Sequence, residues 1–208
     1  MSDRMALKVA IDLMHIPSQV RLFRSGPLPG GVLMLLRIAA GDEEAEQTAV
    51  ALTGRSPETV RQAATFFIEQ ILFVPDADSY RVLGTSSQAS PGELRRNVAL
   101  LLRWLHPDLD PRGERSIFVG RVTTAWNNLK SPDRRAAYDD LRRSSMNGSK
   151  SRFRGGKSRS GRGNTLTQFT TGGPHRSQFV RNAPLMYGDD RMGFLRRALS
   201  VLFHRPQH

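Results

Sequence analysis

Ser90-Pro91-Gly92-Glu93 constrains this chain more than any other stretch. A serine hydroxyl can accept from the backbone N–H three residues on, and a glutamate there can reach back to the serine N–H. Proline suits the first helical position, where no N–H is needed. The helix that starts here runs to Leu105, with Leu94, Val98, Leu101, Leu102 and Leu105 on one face and Arg95, Arg96 and Arg103 partly off it. It must end at His106-Pro107-Asp108, because the residue before a proline is pushed out of the α region. Arg112 and Gly113 fall in a loop, and a second helix, about Glu114 to Leu129, buries Phe118, Val122, Ala125, Trp126 and Leu129. Two antiparallel helices joined by a short loop make an α-hairpin. Upstream, Asp78 to Gly84 reads as a short helix closed by glycine, and Thr85 to Ala89 as a polar loop. Downstream, Ser131-Pro132 caps a last helix that passes Tyr138 and ends near Arg143.

Residues 1–75 also read as helical. Met5, Val9, Leu13 and Ile16 recur at helical spacing up to Pro17. Pro27-Leu28-Pro29-Gly30-Gly31 breaks the chain, and Val32 to Ala40 forms a short apolar helix. Asp42 caps a helix to about Thr53, with Glu43 and Glu44 where the helix dipole favours acids and Gly54 just past the end. Ser56-Pro57 starts a third helix carrying Val60, Ala64, Phe67, Ile68, Ile71 and Leu72. Burying that surface requires a small helical bundle. The last two helices have the outline of a helix-turn-helix, but after Gln62 the second offers mainly apolar side chains, so packing is the stronger reading. The expected fold is all-α.

The net charge of +12 is concentrated at one end. From Ser144 onward there are twelve basic against two acidic residues, and before it nineteen against seventeen. Residues 144–188, rich in Gly, Ser and Arg, read as a basic flexible linker. Residues 189–208 hold an amphipathic helix, with Met192, Leu195, Leu199 and Phe203 against Arg191, Arg196 and Arg197. It either docks on the bundle, the favoured reading, or lies on a membrane surface. Arg152, Arg154, Lys157, Arg159 and Arg162 are the candidates for contact with an acidic partner: RNA, DNA or anionic lipid. Cysteine is absent, which excludes disulfides, Cys-ligated zinc and thiol catalysis and fits a reducing cytoplasm. Met5 to Met14 carries Lys8 and Asp12 and no small-residue cleavage site follows, so no export signal is expected. The most apolar run, Gly31 to Ala40, is half the length of a membrane span of roughly 20 residues, so no integral membrane segment is expected.

The central turn reads as a recognition element. Pro107 stiffens it and lowers the ordering cost of docking. His106 and Asp108 project polar groups, while Arg95, Arg96 and Arg103 supply positive potential for an acidic surface. A metal or catalytic dyad is the weaker reading, because no nearby His or Cys completes a ligand set and no nucleophile adjoins. No metal, cofactor or catalytic residue is expected.

The exposed His106-Pro107-Asp108 turn follows a basic amphipathic helix, with Tyr80-Arg81-Val82-Leu83-Gly84 upstream and Ser131-Pro132-Asp133-Arg134-Arg135-Ala136-Ala137-Tyr138-Asp139 downstream. Over about residues 76–143 this arrangement resembles a J-domain of the DnaJ type. The resemblance implies a cytoplasmic co-chaperone, itself not an enzyme, whose partner is a DnaK-type ATPase chaperone. Arg95, Arg96 and Arg103 would dock, and His106, Pro107 and Asp108 would trigger ATP hydrolysis. The runner-up is a nucleic-acid-binding protein acting through the tail and the helix-turn-helix outline of residues 1–75. Two departures stand out. Trp104 replaces a basic residue usual in the family, and Ala99-Leu100-Leu101-Leu102 is apolar where basic pairs are common. Packing on the N-terminal bundle, weaker docking or a divergent chaperone would each account for them.

Overall fold

In the computed structural model, which describes residues 2–152, the chain is all-α, and no strand occurs among those residues. The helices are α1 (Ser2–His15), α2 (Val20–Ser25), α3 (Val32–Ala39), α4 (Glu43–Thr53), α5 (Pro57–Phe67), α6 (Ser79–Val82), α7 (Pro91–Trp104), α8 (Val119–Leu129) and α9 (Pro132–Arg152). Helix α5 runs directly into a wider π-turn, Ile68–Leu72, and a 3-10 turn, Glu114–Phe118, leads into α8.

Local chemistry sets the helix starts. Asp42, Ser56, Asp78 and Ser90 each accept a backbone N–H of the first turn through the side chain. At α7 the box is reciprocal: Glu93 N–H donates to Ser90 Oγ (3.2 Å), and Ser90 N–H donates to Glu93 Oε2 (2.8 Å). The Ser90 backbone bond, more than any other contact, holds the Glu93 carboxyl below its ordinary pKa range. Ser90→Ala is expected to cost about 1 kcal/mol of stability, read from the midpoint of urea unfolding.

Helices α1, α3, α4 and α5 pack on one another, and α6, α7, α8 and α9 form the second group around the α7–α8 hairpin. The two groups share one core. Helix α3 packs on α7, and a single apolar cluster runs from Ala6 through Phe67 and Leu72 to Leu101, Trp104 and Leu129. Gly84 marks how close the groups come. Its φ is +65°, and a Cβ there would meet Val32 Cγ1 at 3.0 Å and Leu36 Cδ1 at 3.3 Å.

Arginines of the second group tie down the chain that leaves the first. Arg81 donates to the carbonyls of Phe23, Gly26 and Ile71. Arg121 donates to those of Phe73, Val74 and Pro75, at the end of the π-turn. The downstream sequence locks α6. Tyr80 Oη donates to Asp139 (2.9 Å) and accepts from Arg135 Nε (3.0 Å), while Ser79 N–H donates to Tyr138 Oη (2.8 Å).

The structure departs from the sequence reading in several places. In α1 the buried stripe is Ala6, Leu7, Ala10, Ile11 and Leu13, whereas Met5 and Ile16 are exposed. Leu13 is buried as expected, but Ala6 and Ala10 share the buried face with Leu7 and Ile11 against α3 and α5, so the stripe is rotated away from Met5 and Ile16. Helix α2 has no counterpart in the sequence reading. The first five residues of the expected Glu114–Leu129 helix form the 3-10 turn instead. Helix α9 does not stop near Arg143. Ser144 Oγ and Ser145 Oγ donate to the carbonyls of Asp140 and Arg142, so both hydroxyls are satisfied within the helix and it continues to Arg152. No helix among the described residues is long and apolar enough to cross a membrane.

Candidate functional site

Helix α7 ends at Leu105, whose N–H still donates to Leu101 O, and the chain then winds about one carbonyl. His106 O accepts from the N–H groups of Leu109 (2.9 Å) and Asp110 (3.1 Å). Pro107 contributes no donor, and Asp108 N–H donates to His106 Nδ1 (3.3 Å). Asp110 is buried, and its carboxylate accepts from Arg115 N–H (2.8 Å) across the left-handed Gly113. The result is a compact turn with its own hydrogen bonds.

In this turn Asp108 is the exposed group, its side chain 85% accessible, and His106 is half-buried. Besides the Asp108 N–H, His106 Nδ1 has the Asp108 carboxylate 3.2 Å away. A neutral imidazole with its hydrogen on Nε2 accepts the N–H; a protonated one donates to the carboxylate instead. Both states engage Nδ1 inside the turn, and Nε2 makes no hydrogen bond among the described residues.

Arg95, Arg96 and Arg103 are all exposed on α7, and among the described residues none of them makes an ion pair. Arg95, Ala99 and Arg103 follow at intervals of four, so they lie along one line of the helix that leads to the turn, with Arg96 and Leu100 beside it. Ala99 and Leu100 are half-buried, while Leu101, Leu102 and Trp104 are fully buried. The apolar residues Ala99 to Leu102 of α7 are thus divided between a half-covered outer line and the face against the core. Trp104 is 1% exposed and stacks with Phe73 (5.9 Å) and Phe118 (6.2 Å).

Two residues of this region carry no mark in the sequence. Arg115 lies over the Trp104 ring, 5.0 Å from its centroid, and donates to Leu109 O (3.1 Å). Glu69, on the π-turn, faces Arg115 at 3.9 Å. Burial raises the pKa of the Glu69 carboxyl; Arg115 pulls it back down, while Glu114 and Asp110 push it up further. Only the tertiary fold brings them together, so no spacing could reveal the pair.

The other candidate contacts are less defined. Arg152 is the final residue of α9, and Arg154, Lys157, Arg159, Arg162 and the amphipathic segment 189–208 lie outside the described residues. The α4–α5 pair has the helix-turn-helix outline, with Gly54 left-handed between the helices. Its Arg61 is held by Glu46 and Glu58, each at 3.1 Å, rather than free for a phosphate.

No protein-family model matches the chain, and no solved structure matches it. Curated proteins do. It is 41% identical over 68 residues to "Chaperone protein DnaJ 1" of Mycobacterium leprae, which covers 33% of this chain and 18% of that protein. It is 39% identical over 102 residues to "Chaperone protein DnaJ 1" of Mycobacterium tuberculosis, covering 47% and 24%. It is 36% identical over 97 residues to "Chaperone protein DnaJ" of Leifsonia xyli, covering 47% and 25%. The chain therefore spans a quarter or less of the length of these relatives, and the likeness is that of a DnaJ-like segment within an all-helical chain.

Proposed function

We propose that this protein is a J-domain co-chaperone that docks on a DnaK-type heat-shock chaperone and stimulates its ATP hydrolysis. The observation that carries this reading is the hydrogen-bonded His106-Pro107-Asp108 turn at the end of α7. Its Asp108 carboxylate is exposed, and the arginine line of Arg95, Arg96 and Arg103 leads to it. The similarity to DnaJ chaperones supports it. Residues 76–143 act as the J segment and residues 1–75 as the scaffold beside it. The chain carries out no chemistry of its own. The arginines provide orientation and on-rate on an acidic surface. The turn then shifts the partner's equilibrium by binding one of its states better than the other.

Single-turnover ATP hydrolysis by a DnaK-type chaperone tests this. The protein is expected to accelerate hydrolysis, and His106→Gln to lose that acceleration by roughly tenfold or more, the scale of a site-to-site coupling of about 1–3 kcal/mol. Equal stimulation by the variant would remove the turn from the mechanism. An absence of stimulation by the native protein would overturn the co-chaperone reading.

A further inference from the structure

The turn does not stand clear of the N-terminal bundle. Leu109, in the turn, leans toward the α3–α4 junction, where a Cβ on Gly41 would lie 3.7 Å from its Cδ2. Between them opens a groove of about 480 Å³, with Met14, Ile38 and Phe66 on the bundle side and Leu109 and Arg115 on the turn side. Arg115 closes one end of it. Its guanidinium covers Trp104, holds the Leu109 carbonyl and faces Glu69, while its backbone N–H holds Asp110. One side chain thus touches the turn, the helix that delivers it and the bundle.

We propose that Arg115 is a positioning residue that clasps the His106-Pro107-Asp108 turn to the N-terminal bundle through Leu109, Trp104 and Glu69, which makes the bundle part of the chaperone-triggering unit. This deepens the co-chaperone reading and rests on it. Without the Arg115 guanidinium, Glu69 would feel the carboxylates of Glu114 and Asp110 with less positive charge to offset them. Arg112, 3.6 Å from Glu114, sits farther out and is 85% exposed. The turn would then move away from the bundle and sample conformations unfit to trigger a docked partner. The pKa of Glu69 is raised mainly by burial, which marks the cost of keeping a carboxylate there and gives the guanidinium its role.

Docking through Arg95, Arg96 and Arg103 is separate from this clasp. In Arg115→Ala the maximal stimulation of the ATPase is therefore expected to fall about three- to tenfold, with the half-saturating concentration moving less than about twofold, because only a fraction of the docked complexes then holds a turn competent to trigger, while the arginine line that sets docking does not change. Arg115→Lys keeps the charge but not the planar fork, and recovers only part of the loss. Glu69→Lys attacks the clasp from the bundle side. At 33% side-chain exposure the lysine stem can reach solvent, so the fold persists while Arg115 is repelled.

Hydrogen exchange at the Leu109, Asp110 and Arg115 amides provides a readout independent of any partner. Both Arg115→Ala and Glu69→Lys should exchange these amides faster while those of the α5 interior stay protected. Unchanged protection in both variants overturns the clasp. Faster exchange with unaltered maximal stimulation overturns its role in triggering. Failure of the native protein to stimulate any DnaK-type ATPase brings down the co-chaperone reading, and the exchange data then decide the clasp alone.

Discussion

Trp104→Ala is expected to lower folding stability by about 3–5 kcal/mol, measured by urea unfolding, as large-to-small changes of buried aromatics do. The reason is position. Trp104 is 1% exposed at the last turn of α7, beside the stacked pair of Phe73 from the N-terminal group and Phe118 from the turn before α8, with Arg115 across its face. Removing the indole leaves a cavity where both groups and the His106-Pro107-Asp108 turn meet. It also strips the cation of its aromatic partner. Set against a typical total of about 5–15 kcal/mol, such a loss brings the protein close to unfolding.

Two further substitutions at the same site separate packing from polarity. Trp104 Nε1 is buried and has no hydrogen-bond partner. Trp104→Phe removes that unsatisfied donor along with the second ring. The variant should therefore cost less than about 2 kcal/mol, because relief of an unpaired group worth about 1–3 kcal/mol offsets lost contact area. Trp104→Lys puts a charge at the same position and should destabilise at least as much as alanine, because an ammonium would be buried unpaired. If alanine costs under about 1 kcal/mol, well below the usual range for a buried aromatic, the tryptophan does not hold this junction together.

How the sequence disclosed some of this and not the rest follows from the range of the forces involved. The starts of α4, α5, α6 and α7 were legible because Asp42, Ser56, Asp78 and Ser90 act within a few residues of themselves. The turn was legible because Pro107 ends α7 by a local clash. The buried face of α7 was read correctly at Leu94, Val98, Leu101, Leu102 and Leu105, where one apolar line suffices. In α1 the spacing finds Leu13 but sets the stripe's edges at Met5 and Ile16, because the alanines at 6 and 10, which complete the buried face, give little hydrophobic signal. Helix α2 spans six residues, too few for a period to show. The fusion of residues 1–75 with the α7–α8 hairpin depends on Phe73, Trp104 and Phe118 stacking across distant parts of the chain, and the Glu69–Arg115 pair depends on the same fusion. The apolar run on α7 was the one trace of it, since Leu101 and Leu102 needed more cover than the hairpin alone provides.

Arg81→Ala is expected to cost about 2–4 kcal/mol by the same unfolding measurement, on the scale of leaving more than one buried acceptor unpaired. Nothing in the Tyr80-Arg81-Val82-Leu83-Gly84 stretch itself sets the direction of the arginine. Here its guanidinium turns inward and joins three carbonyls from separate parts of the first group: Phe23 at the end of α2, Gly26 beyond it and Ile71 in the π-turn. Burial pulls its pKa below the ordinary arginine value, with Asp78 acting in the opposite direction. An arginine remains charged under any working condition, so the desolvation is borne by the folded state and balanced by those three acceptors. Removing the side chain frees the carbonyls together. The adjoining cleft of about 1040 Å³, lined in part by Arg24, Pro27 and Arg81 itself, admits water and keeps the loss below that of a sealed site. Lysine should recover less than half of it, since one ammonium cannot span acceptors that a planar fork joins. Full rescue by lysine would show that charge alone matters at this position, and the three-carbonyl geometry would then not be what joins α6 to the bundle.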